Sequence, residues 1–501
     1  MALLAACSVD VPQGNRLAAE PPQAALSTTP VYSADIRPIL TRHCASCHRQ
    51  GTAAPFPLAS YTDAQRRARQ IADIVNSRMM PPWLPDSHGE LLDENRLAAA
   101  EIATIRLWAD RGGPAGASDH PPTMHMAAAK TADISGKLPI AAGNPVEPSG
   151  SALGKPDAVL SPLSATHIAA DAPDFYRCTV LPTHFSEDKY LSAIVFQPGN
   201  PRTDQQALEY LDPDRQIRFL NAVPSGGGFT VRRSASGLSP SLVIGGWGIS
   251  TAAHKLPSGT GILLPRGADI VLEVRYRSTG KPETDLPKVL LYFCRGPVKR
   301  QARVAPVLAS GLRLSSHMSM ESSGFGGQAP VISDISILGV MPCMRWQGAS
   351  IGLSALSPDK IPRPLFSIPA WHFDQAGDYR FRNPVHVLQG SLLLLTAKFG
   401  DKHGGTEAVK DKPRTITWGD TIEDENAVAY VLYTSVREDL LQHRPVAGIP
   451  PLGGSSDSAI SRDLLHMFDT DNDGLISRPE TLAMRPFFGS NLPKMTGMDA
   501  M

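Results

Sequence analysis

The chain is 501 residues long, with 48 lysines and arginines against 48 aspartates and glutamates. That length suggests about three domains, and the even balance supplies no net field to draw nucleic acid to the surface. No apolar run is long enough to span a bilayer, so neither a nucleic-acid-binding role nor a spanning helix has support.

In chain order, Met1-Ala-Leu-Leu-Ala-Ala-Cys7-Ser8 resembles the end of a bacterial lipoprotein signal, where a cysteine after small residues receives the lipid. Six residues precede Cys7 and none is basic, so the charged and apolar stretches of a full signal are missing. Either the start codon lies further upstream or Cys7 is an ordinary thiol; the haem motif described next demands export and favours the first. Residues 1–29 are then a signal remnant and a polar, Pro- and Ala-rich tether. Acyl chains on Cys7 would hold the protein to a membrane, in the bacterial periplasm or at the cell surface.

Cys44-Ala-Ser-Cys47-His48 has the Cys-x-x-Cys-His spacing of covalent haem c attachment. The thiols of Cys44 and Cys47 add to the haem vinyl groups, and His48 is placed to reach the iron. Further on, Met80 stands before Pro81-Pro82-Trp83, and a thioether ahead of two backbone-fixing prolines is the expected distal ligand, with Met79 the alternative. A Met/His pair raises the iron potential and leaves no open position, so such a haem carries electrons to or from a redox partner protein. Ser33 is placed to cap a helix with Ile36, Ile39 and Leu40 on one face. A second helix runs from about Leu97 to Asp110 through Ile102, Ile105 and Trp108 to the stop Arg111-Gly-Gly-Pro114. Residues 30–114 resemble the Met-Pro-Pro-Trp type of cytochrome c found fused to other bacterial domains, a small all-α fold. Residues 115–170 read as a flexible linker, in which His120, Met124, His125 and Met126 are scattered soft donors rather than a copper site.

From 171 to 436 the pattern changes to short β runs: Tyr190 to Phe196, Gly261 to Leu264, Ile270 to Tyr276, Val289 to Phe293, Ile335 to Val340, Ser391 to Phe399 and Val428 to Tyr433. Turn signals such as Pro198-Gly-Asn200 and Pro265-Arg-Gly267 separate them. The region is mainly β and large enough for two sandwiches, at 171–297 and 298–436.

Over that region the phrases Asp174-Phe-Tyr-Arg-Cys-Thr-Val-Leu-Pro-Thr183, Phe196-Gln-Pro-Gly-Asn200, Gly245-Gly-Trp247, Leu264-Pro-Arg-Gly-Ala-Asp269, Arg277-Ser-Thr-Gly-Lys-Pro-Glu-Thr-Asp285, Ile368-Pro-Ala-Trp371 and Trp418-Gly-Asp420 resemble bacterial relatives of the copper type II, ascorbate-dependent monooxygenases. Peptidylglycine α-hydroxylating monooxygenase is the best-known member of that superfamily. The resemblance implies a double jelly roll with one copper on each half, facing across a cleft, and bacterial relatives are often fused to a cytochrome c. It also implies a staple in the first half, which Cys178 and Cys294 are placed to form in an oxidising compartment. Cys343 is left over as a thiol.

The copper ligands that the resemblance implies are replaced throughout. The paired histidines after the Pro-Gly-Asn strand are Gln205 and Gln206; the third ligand of that copper is Arg275, followed by Tyr276 and Arg277. The His-Met-His triplet of the second copper is Cys343-Met344-Arg345, and its methionine in an Asp-Glu-Met phrase is Asn426. A guanidinium, always protonated, cannot coordinate a metal and repels it, so copper is not expected. Arg275 and Arg277 share a strand face and would point together into the former site, there to hold an anion or to form internal salt bridges.

A Pro- and Gly-rich linker, 437–460, leads to a short helical segment at 461–485. Within it Asp469, Asp471, Asp473, Leu475, Ser477 and Glu480 occupy the ligand positions of a twelve-residue EF-hand loop, with Gly474 at the sharp turn, so weak calcium binding is expected. The whole reads as a multidomain, exported haem c electron-transfer protein with a copperless monooxygenase-like scaffold. An active copper monooxygenase fed by the haem and a structural assembly protein are the alternatives, and fold resemblance alone does not decide among them.

Overall fold

The computed structural model describes residues 29–49, 54–116, 153–220, 227–231, 242–248, 252–308, 313–314, 325–373, 377–399, 416–417 and 427–450. Cys7, the donors at 120–126, the phrase Trp418-Gly-Asp420, Asn426 and the EF-hand positions from Asp469 to Glu480 lie outside the described residues. The described chain is mainly β, with several sheets and few helices, and no described helix is long and apolar enough to cross a membrane. It divides into two compact units: Met1–Ala45, Leu58–Met80 and Leu97–Pro139 form one, and Ser46–Pro57, Pro81–Arg96 and Ile140–Met501 the other. The span expected to be a single cytochrome domain, 30–114, is therefore shared between them.

The first unit is helical. A π-helical turn at Tyr32–Ile36 leads into α1 (Arg37–His43), followed by α2 (Tyr61–Arg66), α3 (Ala68–Asn76) and α4 (Ala99–Asp110). Ser33 does not cap the first turn; the Asp35 carboxylate does, accepting the Val31 amide at 2.8 Å. α2 has a reciprocal box between Ser60 and Asp63, and α4 stops where Gly112 and Gly113 take positive φ and Gly113 donates back to the Trp108 carbonyl at 3.0 Å. Ile36, Leu40, Ile71, Val75, Ile105 and Trp108 are its buried core. The Trp108 indole donates to the Pro114 carbonyl at 3.0 Å and the Tyr61 hydroxyl to Gly113 at 3.0 Å, while the Tyr32 ring lies 5.4 Å from Tyr61. The chain's entry to and exit from this unit are thereby tied to one aromatic cluster.

The β strands of the second unit fall into two halves. In the first are β1 (Ala158–Leu160), β2 (Thr166–Ile168), β3 (Phe175–Pro182), β4 (Lys189–Gln197), β5 (Asp204–Asp212), β6 (Gly228–Val231), β7 (Val243–Gly248), β8 (Thr260–Leu264), β9 (Asp269–Tyr276), β10 (Glu283–Asp285) and β11 (Lys288–Phe293). In the second are β12 (Arg300–Leu308), β13 (Arg313–Leu314), β14 (Phe325–Pro330), β15 (Ile335–Met344), β16 (Gly348–Leu356), β17 (Pro362–Ile368), β18 (Tyr379–Val387), β19 (Leu392–Phe399), β20 (Ile416–Thr417) and β21 (Ala427–Ser435). All seven β runs read from the sequence are strands. The expected linker 115–170 is shortened by β1, which pairs with β11, and by β2, which pairs with β10. The expected tether 437–460 is packed at its start: buried Glu438 accepts from Arg303 and Gln301, and Ile449 enters the core.

One eight-stranded sheet, ordered β1-β11-β4-β8-β12-β21-β15-β18, runs through both halves, joined where β8 and β12 pair in parallel. In the second half it packs on the four-stranded sheet β14-β19-β16-β17 around Ile337, Val340, Leu353, Leu393, Leu395 and Val431. In the first half it packs on the five-stranded sheet β6-β3-β9-β5-β7 through Leu191, Leu264, Leu291, Ile270 and Leu272. The other face of that five-stranded sheet, with Val180, Leu208, Tyr210 and Val271, packs on Met341, Val428 and Tyr430 of the second half. β9 and β21 are accordingly buried at every residue: β21 runs apolar from Ala427 to Tyr433, while β9 carries Glu273 and Arg275 on the face toward the second half.

The approach of β7 to β15 is close enough to require glycine: a Cβ on Gly246 would lie 2.3 Å from the Met341 Sδ and 3.1 Å from Leu208 Cδ2. Gly246→Ala is expected to destabilise the β unit by about 1–3 kcal/mol in urea unfolding. In a Met341→Ala background the same change should cost measurably less, because the opposing thioether is gone.

Candidate functional site

After the Pro198-Gly-Asn200 turn, β5 begins with a bulge between Asp204 and Gln206, which sets Gln206 opposite Arg275 of β9; Arg275 is in turn opposite Tyr176 of β3. Two residues along, by the period of a strand, lie Leu208 and Glu273. This row faces the end of β15, and Tyr176, Gln206, Leu208, Glu273, Arg275, Cys343, Met344, Arg345, Phe373, Val428 and Tyr430 together line a cavity of about 40 Å³. Such a volume has room for roughly three waters and none for an organic substrate.

Four of the positions read as former copper ligands therefore converge. Gln206 donates from Nε2 to the Cys343 sulfur at 3.6 Å, so residues assigned to two separate metals touch each other. Gln205, at the bulge, is buried away from the cavity, and Asn426 lies outside the described residues. The arginines are held by internal partners. Arg275 donates to Asp174 Oδ2 at 3.0 Å, with its guanidinium 3.9 Å from the Phe373 ring centre. Arg277 grips the same carboxylate through Nε at 3.2 Å and Nη2 at 3.0 Å, over Trp346. Trp346 and Phe373 are 4.6 Å apart, closing a stack of two cations, two rings and one carboxylate. Arg345, 2% exposed, lies over Tyr176, and its carbonyl accepts the Trp371 indole at 3.2 Å.

Burial pushes the Cys343 thiol up to about 12, and burial likewise raises Tyr176. The sequence reading missed Asp174, Glu273, Trp346 and Phe373. Glu273 was legible as the residue two before Arg275 on one strand face, and Asp174 opens the first family-like phrase; the stacking of Trp346 on Phe373 has no sequence signal.

Beside this row a second polar cluster is fully buried. The Asn200 amide and the Tyr276 hydroxyl donate to Asp285, at 2.7 Å and 2.6 Å, and Thr203 donates to Asp204 at 3.0 Å. Burial, then the Asp285 charge, pushes Asp204 up to about 9, and Asp285 is raised by burial as well. Glu209 is buried with no hydrogen-bond partner for either oxygen among the described residues, and burial pushes it up to about 8.

The expected Cys178–Cys294 staple does not form; both residues remain thiols. Cys178 is in the five-stranded sheet, 3.7 Å from Glu273, and Cys294 follows β11 of the eight-stranded sheet, donating to the Thr260 carbonyl at 3.4 Å. Opposite layers of the sandwich separate them.

Of the haem residues, Cys44 ends α1 and is described with the helical unit, as is Met80, whose amide donates to the Ile74 carbonyl at 3.4 Å. Met80 is half-buried, whereas Met79 is 47% exposed. Cys47 and His48 belong to the other unit, where His48 Nδ1 lies 3.0 Å from the Phe56 carbonyl and the two rings are 4.9 Å apart. A carbonyl only accepts, so Nδ1 carries the proton and the Nε2 lone pair is left for a metal.

Two measurements check the electrostatics. Asp174→Ala removes the carboxylate shared by Arg275 and Arg277 and is expected to cost about 2–4 kcal/mol in urea unfolding, whereas Glu187→Ala at the exposed pair with Lys189 should leave the unfolding midpoint unchanged. The buried carboxyls have folded pKa values above their unfolded ones. Their contribution is fully present below about pH 4 and is lost as pH rises through about 8 to 9. The unfolding midpoint should fall between pH 5 and 9, and fall less steeply in Asp204→Asn, where a carboxamide keeps the donor without the charge.

No family model matches the sequence, and no curated protein matches it. Among solved structures the chain is similar to a recombinant N-glycanase F, at 10% identity and a TM-score of 0.25, over 58% of this chain and 97% of that one. It is similar to PNGase F, a glycosylasparaginase from Flavobacterium meningosepticum, at 10% identity and a TM-score of 0.22, over 57% and 91%. It is also similar to the VP2 subviral particle of infectious bursal disease virus, at 11% identity and a TM-score of 0.15, over 67% and 94%. At these TM-scores the likenesses place the chain in no family and assign it no activity.

Proposed function

We propose that this protein is an exported, lipid-anchored haem c electron-transfer protein whose double jelly-roll module, related to the copper type II ascorbate-dependent monooxygenases, serves as a docking or binding scaffold without copper. The observation that carries the haem reading is the His48 Nδ1 contact with the Phe56 carbonyl, which presets the tautomer an iron ligand needs. Cys44 and Cys47 would hold the group covalently, with His48 and Met80 as its axial ligands. When bound, the haem supplies one-electron transfer at a raised potential. The chain's own part is to fix the His48 tautomer and to keep a thioether available at Met80.

The residues around the cavity do not fit copper. Two guanidiniums cannot coordinate, and Gln206 spends its amide on the Cys343 thiol. Calcium at Asp469, Asp471, Asp473, Leu475, Ser477 and Glu480 rests on the EF-hand spacing.

The test is metal analysis of the haem-loaded chain after copper exposure and removal of loose metal. One iron, calcium present and no copper is the expected result; two tightly held coppers would restore the monooxygenase reading. Cys44→Ala and Cys47→Ala should each weaken covalent haem retention in denaturing gels, and Met80→His should lower the haem potential by roughly 100 mV or more.

A further inference from the structure

The cavity between the five-stranded sheet and the end of β15 is walled by opposite charges in unequal number. Arg275 of β9 and Arg345, which follows β15, line it together with the Glu273 carboxylate, and all three are buried. The two guanidiniums come from different sheets. Arg275 is 3.9 Å from the Phe373 ring centre, Arg345 is 6.0 Å from that of Tyr176, and both charges reach the Tyr176 phenol. Asp174 is outside the cavity wall and is divided between two cations, with Oδ2 at 3.0 Å from Arg275 and 3.0 Å from Arg277. Asp378, whose charge also reaches Cys343, is paired with Arg380. Arg275, Arg277 and Arg345 therefore stand against Asp174 and Glu273, which leaves one positive charge in excess.

Leu208, Met344, Phe373 and Val428 supply apolar parts of the same wall, so water screens this excess weakly and a counter-ion inside the cavity is favoured. Size then selects the ion. A volume of about 40 Å³ takes roughly three water-sized atoms, which excludes sulfate, phosphate and the carboxylate end of a peptide. A guanidinium presents two parallel N–H groups, and a planar anion with two oxygens matches them. We infer that the cavity is a binding site for one small monovalent anion, of the size and two-oxygen geometry of nitrite, held between Arg275 and Arg345 beside the Tyr176 hydroxyl. The inference deepens the binding-scaffold reading and rests on its copper-free part, because a metal cation in the same space would meet the charge that draws the anion. The ion is held and not transformed, as a removable counter-charge at the junction of the two halves.

The experiment uses the full haem-loaded chain as wild type, Gln206→Glu, Arg345→Lys and the exposed control Arg295→Ala. Sodium nitrite is titrated by calorimetry in mildly alkaline buffer at constant ionic strength, with sulfate as the oversized competitor, and urea-unfolding midpoints are recorded with and without nitrite. Wild type and Arg295→Ala should bind one nitrite per chain, saturably, with the haem spectrum unchanged and with a midpoint that rises as nitrite is added. An equal concentration of sulfate should not displace it. Gln206→Glu places a carboxylate on the cavity wall, supplies the missing charge internally and should weaken nitrite binding by at least about tenfold. Arg345→Lys keeps the charge without the planar fork and should weaken it severalfold. A folded wild type that binds no nitrite, displacement by sulfate, a shifted haem spectrum, or either variant folding and binding nitrite as wild type does would overturn the proposal. If neither variant folds, the wild-type stoichiometry and competition decide it. Two tightly held coppers would overturn the copper-free reading and this proposal with it, whereas a copper-free chain without a nitrite site would overturn this proposal alone.

Discussion

The five-stranded sheet of the first half has no solvent face over its central strand. One side of β9 packs into its own sandwich through Ile270, Leu272, Val274 and Tyr276, and the other side packs against the second half through Val271. Polar side chains on that second side are cut off from bulk solvent and find most of their partners inside the protein. Glu273 and Arg275 are on that side, 2% and 1% exposed. The convergence of Asp174, Arg277, Phe373 and Trp346 on Arg275 follows from this requirement: a buried guanidinium is tolerable only with a carboxylate in its plane and aromatic rings on its faces. The cavity left between these groups is small because the groups that define it are also the ones that satisfy one another.

The same double burial explains what was legible in the sequence. Ile270 to Tyr276 and Val428 to Tyr433 were readable as strands because both faces are apolar or satisfied, giving continuous β-prone runs. Strands with half-exposed, short or polar sequences, such as β2, β10 and β17, carry no such run, and they became visible only through their partners. The helices α2 and α3 did carry a signal, Ala64, Ala68, Ile71, Ala72 and Val75 at helical spacing, masked by the arginines and glutamines between them. At the site, the residue substitutions at Gln206, Arg275, Cys343 and Arg345 were readable, and the resemblance implied two separate sites facing across a cleft. Their direct contact was not, because register across the bulge at Asp204 and the seating of one sheet on another are tertiary facts.

The Cys178–Cys294 pairing shows the reverse error. The resemblance implied a bridge and an oxidising compartment permitted it, yet Cys178 points to the layer between the halves, beside Glu273, while Cys294 is at the end of a strand in the facing sheet. Two cysteines near the start and end of a sandwich half are joined only if their strands are neighbours or their side chains meet across the core, and neither holds here. The first half is held by apolar burial and by the charged stack instead.

On the proposed reading, these two features explain how the module keeps its shape without metal. Imidazole ligands on facing strands hold a copper and are held by it; removing the metal alone would leave neutral donors around a polar void at the centre of an interface. Arginine at 275 and 345 fills that volume with a group that carries its own charge, and Asp174 and the aromatic rings supply what the guanidinium needs.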